Sequence, residues 1–129
     1  SNKTVDIRAK NSRCAIIITT GKEENLMIKM TIFYPNDEGK KFDMDYYVNS
    51  HIPMIMEKLG GAVKGGSVDQ GLAGGAPDSP ATYVAMGHML FDSVEELQSA
   101  FGPHTEAIMA DIPNYTDIKP IIQISEVKI

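Results

Sequence analysis

The chain has no tryptophan, a single cysteine and no arginine after position 13. One cysteine, Cys14, cannot form an internal disulfide, and nothing near the start resembles a signal peptide. We therefore expect a reducing compartment, the cytoplasm. Residues 27–129 contain neither cysteine nor arginine. In that part of the chain we expect no cysteine nucleophile, iron–sulfur cluster, cysteine-based zinc site or arginine clamp for a carboxylate.

Long apolar runs and excess positive charge are also missing. No apolar run approaches the ~20 residues that a membrane-spanning helix needs, so we expect no membrane partner. Residues 1–26 carry five basic and three acidic side chains, whereas residues 27–129 carry seven lysines and fourteen acidic side chains. An acidic surface repels phosphate backbones, so we expect no nucleic-acid partner.

The chain has 129 residues, the length of one ordinary domain. The charge difference divides it into two parts at residue 26. We interpret residues 1–26 as an N-terminal extension, either partly tag-derived and non-native or encoded from an upstream start. Its segment CAIIITT is a candidate edge strand. Residues 27–129 are expected to form one folded domain.

Apolar periodicity predicts four strands in that domain. Alternation with a period of two is clear in MIKMTIFY (27–34) and ATYVAMGHMLF (81–91). AVKGGSVDQ (62–70) is glycine-broken, with a bulge expected at Gly65-Gly66, and IKPIIQISEVKI (118–129) is the last strand.

Two helical regions separate these strands. The first begins at Asp43, a good N-cap residue, and ends at Gly60-Gly61. The second begins after Asp92 or Ser93, with Val94, Leu97 and Phe101 on its buried side, and is broken at Gly102-Pro103 before a further short helix.

The element order β-α-β-β-α-β predicts an α+β, ferredoxin-like fold, in which an antiparallel sheet carries both helices on one face. The strand 81–91 is apolar on both faces, yet the chain has no second helical layer to cover the opposite side of the sheet. We therefore expect a homodimer formed by sheet-to-sheet packing.

The stretch FDMDYYVNSHIPMI (42–55) places a histidine and a proline inside the first helix. Pro53 has no N–H group, so the carbonyl of Asn49 loses its helical partner and we expect the helix to bend there. A bent helix over a sheet leaves a mainly apolar gap with a few polar groups, which is typical of a small-molecule site. The face of the helix toward this gap comprises Met44, Tyr47, Val48, His51, Ile55 and Leu59.

His51 is the central candidate for catalysis, with Tyr47 one turn away. It either moves a proton near neutral pH or is a buried, neutral, hydrogen-bonded core histidine, and both interpretations stay open. The other candidates are substrate-binding residues. Tyr83 and His88 alternatively lie at the dimer interface, and His104 alternatively caps a helix at the solvent-exposed surface. The set comprises Tyr46, Ile55, Tyr83, His88, His104 and Tyr115.

The acidic and histidine patterns do not indicate a metal site. Asp43 and Asp45 point in different directions on a helix, so helix capping explains them better than a carboxylate pair. No two histidines have i, i+2 or i, i+4 spacing and no H-E-x-x-H occurs. We therefore predict neither a metal ligand set nor a tightly held cofactor.

Three segments resemble the EthD family, which is named for ethyl tert-butyl ether degradation and belongs among the dimeric α+β barrels. They are FDMDYYVNSHIPM, YVAMGHMLFDSVEELQSAFGPH and MADIPNYTDIKPIIQISEV. The resemblance covers residues 27–129, none of residues 1–26, and centres on D-x-D-Y-Y-x-x-x-H-x-P. It implies the ferredoxin-like fold and dimerisation. For chemistry it offers only analogy with monooxygenases that need no cofactor, polyketide cyclases, muconolactone isomerases and haem-binding enzymes.

Two classes of function follow. The first is an enzyme of oxygenase, isomerase or cyclase type that acts on an apolar or aromatic metabolite, with His51 moving a proton and a tyrosine orienting the substrate. The second is a noncatalytic binding or accessory protein of a degradation pathway. Haem binding through His51 or His88 is a third, less favoured hypothesis.

Overall fold

A computed structural model describes residues 27–129 of the chain. The predicted extension, residues 1–26, and its candidate edge strand lie outside the described residues. Lys29–Ser125 form one compact unit. Across the described part of the chain, no helix has the length and apolar character needed to cross a membrane.

Four strands form one sheet in the order β2-β3-β1-β4. The strands are β1 (Ile28–Pro35), β2 (Gly65–Gln70), β3 (Tyr83–Phe91) and β4 (Ile121–Glu126). β2 and β3 are antiparallel in one unbroken register, from Gly65 opposite Leu90 to Gln70 opposite Ala85. The predicted bulge at Gly65-Gly66 is wrong, because every residue of β2 faces a single partner.

The helices follow the predicted order. The first region comprises α1 (Met44–Tyr46), a π-helical segment (Tyr47–His51) and α2 (Ile52–Leu59), and the second comprises α3 (Val94–Phe101) and α4 (Thr105–Asp111). Short 3-10 turns, Gly60–Ala62, Gly102–His104 and Ile112–Asn114, follow α2, α3 and α4. With the strand order, this arrangement confirms the predicted α+β, ferredoxin-like fold.

Side-chain caps fix where both helical regions begin. The carboxylate of Asp43 accepts a hydrogen bond from the N–H of Tyr46 at 3.1 Å. The hydroxyl of Ser93 accepts one from the N–H of Glu96 at 3.0 Å, which settles the choice between Asp92 and Ser93. Each cap satisfies a backbone donor that the first helical turn leaves without an intrahelical partner.

The irregularity in the first helical region begins before Pro53. The N–H of Ile52 donates to the carbonyl of Tyr47, five residues back, which is the π-helical pattern. Pro53 follows inside the same continuous helical run, and because it has no N–H group it cannot continue the backbone hydrogen-bond ladder at that position. The sequence therefore predicted an irregular helix near Pro53 but did not predict the π-helical segment.

The π-helical segment explains why the buried face has an unusual spacing. The buried residues are Tyr47, His51, Ile55 and Leu59, each four positions after the last. In a regular α-helix, steps of four residues overshoot a full turn by about 40° each. The wider π turns oppose this drift and keep the four side chains on the sheet. Val48, predicted on the same face, is 37% exposed.

The two faces of β3 are covered to different extents. Its odd-numbered positions from 85 to 91 are buried beneath the helices, and its even-numbered positions are half-buried. The alternation separated these two faces but did not indicate which of them lies under the helices. In α3, Leu97 is buried and Phe101 half-buried, whereas Val94 is 38% exposed because it lies at the start of the helix. The prediction that Val94 is buried was therefore wrong.

Gly87 of β3 lies directly beneath the side chain of Tyr47. A Cβ atom at this position would overlap the Tyr47 hydroxyl oxygen. We expect Gly87→Ala to lower the free energy of unfolding by about 1–3 kcal/mol, the usual cost of overpacking a core, as measured by urea denaturation.

Two further variants test this explanation of Gly87. Gly61→Ala is the matched control, because a Cβ atom there meets open space, and we expect a change below about 0.5 kcal/mol. Adding Tyr47→Phe to Gly87→Ala removes the overlapping oxygen and should restore part of the lost stability. Strictly additive effects of the two substitutions would contradict the proposed contact.

Candidate functional site

A part-buried histidine–aspartate pair lies at the centre of the candidate site. His51 comes from the π-helical segment and Asp111 from the last position of α4. The Nδ1 atom of His51 lies 2.8 Å from Oδ2 of Asp111. The His51 side chain is 3% exposed and that of Asp111 is 20% exposed. The pair therefore joins the two helical regions, with the imidazole buried and the carboxylate partly exposed.

Asp111 accepts two further hydrogen bonds, both at Oδ1. The hydroxyl of Tyr46 donates at 2.9 Å, and the side-chain amide of Asn114 donates at 2.9 Å. Burial raises the pKa of Asp111, but the hydrogen bonds from His51, Asn114 and Tyr46 outweigh that effect and lower it. Asp111 is therefore ionised at neutral pH, and an ionised carboxylate can only accept.

The state of Asp111 determines the state of the His51 ring. Because the carboxylate can only accept, Nδ1 of His51 carries the proton and Nε2 holds the lone pair. Burial lowers the pKa of His51, and the opposing effect of Asp111 does not reverse this. The ring is neutral at pH 7. Nε2 has no hydrogen-bond partner among residues 27–129, so it is a buried and unused acceptor.

Aromatic rings surround the imidazole. Tyr47 stacks on His51 with ring centroids 5.7 Å apart at 18°, and the Tyr115 centroid lies 4.6 Å away. Tyr34 adds a hydroxyl 2.6 Å from that of Tyr115. All three tyrosines are 1% exposed. Burial raises the pKa of each of them, so their hydroxyls stay protonated and can donate.

A narrow cavity lies beside these rings. Its volume is about 20 Å³, enough for about one water molecule. Tyr34, Tyr47 and His51 are the polar side chains of its wall, and the rest of the wall is apolar. Met109 and Ile122 belong to the wall and are each 42% exposed, so they form its outer part. A ligand larger than water requires these side chains to move, which the flexible Met109 permits.

A second cavity of about 120 Å³ lies farther along the first helical region. Ile52 and Met56 of α2 form one side of it, and Val68 and Met89 of the sheet form the other. Ile32 belongs to the walls of both cavities. Two small cavities therefore lie between the first helical region and the sheet.

The structure brings five of the predicted site residues together. His51, Tyr47 and Ile55 line the first cavity. Tyr115 packs against the ring of His51, and Tyr46 is tied to the same carboxylate as His51. These five belong to one cluster built on the first helical region and the end of α4.

The other three predicted residues lie apart from this cluster. His88 borders the second cavity, but both of its ring nitrogens are bonded: Nε2 lies 2.9 Å from Oδ2 of Asp69, and Nδ1 lies 3.1 Å from the hydroxyl of Thr31. Tyr83 packs against Phe33, with centroids 4.8 Å apart. His104 is half-buried in the turn after α3 and is not in the wall of either cavity.

Three residues of the site were missed by sequence reasoning. They are Tyr34, Asp111 and Asn114. One signal was available for Asp111, which lies in the last turn of a helix, where the helix dipole disfavours a negative charge. A carboxylate in that position needs compensating donors. Asn114, three residues later, is one of them.

Comparison with known proteins agrees with the fold and the resemblance. Residues 37–119 match the model of the EthD domain. The chain is 45% identical to an EthD-like protein from Ralstonia eutropha JMP134, with a TM-score of 0.76, covering 80% of this chain and 93% of that one.

A second solved structure supports the fold alone. It is a protein of the ethyl tert-butyl ether (EthD) family from Bacillus halodurans C-125. It is 22% identical to this chain with a TM-score of 0.61, and the match covers 79% of this chain and 99% of that one. A search of curated proteins found no match. From the domain match and the 45% identical relative, the chain belongs to the EthD domain family.

Proposed function

We propose that this protein is an enzyme without a resident cofactor that uses His51 as a general base on a small apolar metabolite. Many isomerase reactions begin with such a proton removal. One observation carries the proposal: Nε2 of a neutral histidine is buried beside a cavity without a partner among the described residues. A buried polar atom normally has a partner, so a hydrogen-bond donor in this cavity, either a water molecule or a group of a ligand, is needed to satisfy Nε2.

The two described histidine–aspartate pairs make the contrast clear. His88 has partners on both ring nitrogens, as a structural histidine should. His51 has its partner on Nδ1 only, and Asp111 there fixes the ring orientation and the tautomer. The interpretation of His51 as a purely structural core residue therefore fits the contacts less well than a catalytic one.

The proposed step follows from these roles. Nε2 takes a proton from the substrate, and the imidazolium that forms is stabilised by the ionised Asp111. Asp111 is a positioning residue, because its carboxylate reaches the substrate only through His51. Tyr47 and Tyr115 pack on the buried ring of His51.

The most direct functional test is turnover of His51→Asn across a panel of apolar ketones, lactones and phenols. We expect activity to fall by about 10²–10⁴-fold while the fold is kept, because the base is removed. His104→Asn is the matched control, since that histidine lies outside both cavity walls, and it should keep wild-type turnover. Full activity of His51→Asn would exclude the proposed role.

The stability of the protein should depend on pH through His51. Its folded pKa is lowered below the 6.5 of an ordinary histidine, so on acidification the unfolded chain binds the proton first. We expect the free energy of unfolding to fall as the pH drops below about 6.5, until the folded ring itself titrates.

Urea denaturation of His51→Gln over the same pH range checks this expectation. In His51→Gln the free energy of unfolding should fall much less over this pH range, whereas in His104→Gln it should fall as in the wild type. An identical decrease in His51→Gln and the wild type would show that the His51 ring is not held neutral in the folded state. The lowered pKa of Asp111, by contrast, affects stability only in a more acidic range, below 3.8.

A noncatalytic binding or accessory role is the second candidate, and the second cavity favours it. A space of about 120 Å³ lined largely by Ile52, Met56 and Met89 suits a small apolar molecule. An apolar ligand that raises Tm equally in the wild type and His51→Asn, with no turnover in either, would support this role. A haem does not fit either cavity in this conformation, so we do not propose haem binding.

We further propose that two copies pair through the open face of the sheet. Val84, Met86 and Leu90 of β3 lie half-buried on that face, and they form an apolar surface around the paired His88. The EthD name of the relatives also suggests a degradation pathway, and the cytoplasm is the compartment we propose for it.

Analytical ultracentrifugation of Met86→Glu tests the pairing. A charge in the centre of an apolar interface should shift the protein from dimer to monomer. Leu72→Glu is the control, because Leu72 is 90% exposed in the loop after β2 and should tolerate the charge. A dimer that persists in Met86→Glu would place the interface elsewhere.

A further inference from the structure

We propose that the two cavities bind one molecule, an uncharged compound with a small polar head beside His51 and an apolar tail in the second cavity. The head carries a hydrogen-bond donor for Nε2, and the tail has about four or five carbon atoms. This inference deepens the proposed function and rests on it, because it takes His51 as the group that meets the head. Ile32, which borders both cavities, limits the passage of the tail between them.

The first argument is that the two cavities adjoin. Ile32 of β1 belongs to the wall of both. Tyr47 lines the first cavity, and its hydroxyl lies against Gly87, which lines the second. The Cδ1 atom of Ile32 lies 4.0 Å from the place that a Cβ atom of Gly87 would take. The end of the Ile32 side chain and the Tyr47 hydroxyl therefore meet above the same residue of β3 and form the partition between the cavities.

The second argument is that each cavity lacks what the other offers. The first cavity borders His51, but its volume of about 20 Å³ has room for about one water molecule. The second cavity, at about 120 Å³, approaches the ~150 Å³ of an engineered cavity that binds benzene, but His51 is not part of its described wall. A molecule that places its polar head at Nε2 and its apolar part in the larger space uses both.

The third argument is that two glycines keep the second cavity open. In the antiparallel register Gly66 is opposite Met89, and two positions later Val68 is opposite Gly87. These positions face the helices, because a Cβ atom at Gly66 would lie 2.9 Å from the methyl carbon of Met56 in α2. Two of the four positions therefore have no side chain to fill the space under the helix. Protein interiors are otherwise close-packed, and water finds few partners among apolar walls, so an apolar group suits this space.

The fourth argument concerns the chemistry of the two ends of the molecule. The side chains that α2 contributes to the second cavity, Ile52 and Met56, are apolar. Ser67 and His88 also border it, but they pair with each other and alternate with the glycines, so their side chains lie on the open face of the sheet. A charged tail would lose its hydration there. At the other end, Nε2 of His51 has no partner among residues 27–129, so the head has to supply a donor.

The experiment is an NMR titration of the full chain with the straight-chain alcohols from 1-propanol to 1-octanol. Carbon-13 in the methionine methyl groups reports on the second cavity through Met56 and Met89, and nitrogen-15 in the histidine rings reports on Nε2 of His51. We expect 1-heptanol to shift all three signals with one dissociation constant. Its terminal methyl group should show a nuclear Overhauser effect to the methyl group of Met89. Met30, which is buried but borders neither cavity, should not respond.

The affinity should also depend on the length of the chain. Each buried methylene strengthens binding about fourfold, so the affinity should rise by that factor per carbon atom and level off at about seven carbons, when the second cavity is full. An affinity that does not change with chain length would show that the tail stays in solvent and would overturn the inference.

Two variants test the partition and the tail site. Ile32→Val removes only the Cδ1 carbon and should strengthen binding of 1-heptanol about fourfold, the value of one carbon atom. Ile28→Val is the matched control, because Ile28 is buried in the same strand but borders neither cavity, and it should leave the affinity unchanged. Val68→Phe fills the second cavity from the half-buried edge strand and should weaken binding by about tenfold or more. It keeps the test decisive if Ile32→Val does not fold.

Several results would overturn the inference. Shifts of Met56 and Met89 without His51 would make the second cavity a separate site, and shifts of His51 alone would place the tail outside it. The absence of binding by every alcohol, or an unchanged affinity in the folded Val68→Phe variant, would overturn it as well.

These outcomes are independent of the catalytic role, because none of them requires turnover. If 1-heptanol spans both cavities while His51→Asn keeps full activity on the wider panel, the base is wrong and the binding mode remains. If His51→Asn abolishes turnover while no alcohol reaches the methionines, the base remains and the tail site is wrong.

Discussion

The hydrogen bond between Nδ1 of His51 and Asp111 is the interaction on which the site depends. It joins the first helical region to the end of α4, two elements that are 60 positions apart in sequence. It also sets the chemistry, because an ionised Asp111 obliges Nδ1 to carry the proton. The remaining nitrogen, Nε2, is then unprotonated, lies beside a cavity and has no partner among the described residues.

The local structure around this hydrogen bond holds His51 and the side chains next to it in position. The π-helical segment keeps Tyr47 and His51 in line with Ile55 over the sheet, and π-helical turns inside α-helices often occur at functional sites. Gly87 leaves room for the Tyr47 side chain above β3. The tyrosine rings pack around the buried His51 ring, while the Asp111 carboxylate stays partly exposed.

Much of the fold was predictable from periodicity, because apolar spacing reports which face of an element is buried. The spacing of Tyr47, His51 and Ile55 correctly predicted an inward-facing imidazole, whereas the alternation in β3 separated its two faces without indicating which one lies under the helices. The pairing with Asp111 was not predictable in this way, since contacts between distant elements leave no period in the sequence. The same limit applies to the Tyr34–Tyr115 contact, whose members are 81 positions apart. Pro53 signalled a disturbed helix, but its missing N–H could not reveal a π-helical segment before it.

Nitrogen-15 NMR of the His51 ring at neutral pH is the most direct measurement of the central claim. The account predicts a neutral ring with the proton on Nδ1 and an unprotonated Nε2, and it predicts that Asp111→Asn transfers the proton to Nε2, because an amide can donate to Nδ1. A wild-type ring that is protonated on Nε2, or on both nitrogens, would contradict the account. His51 would then be unable to accept a proton from a substrate.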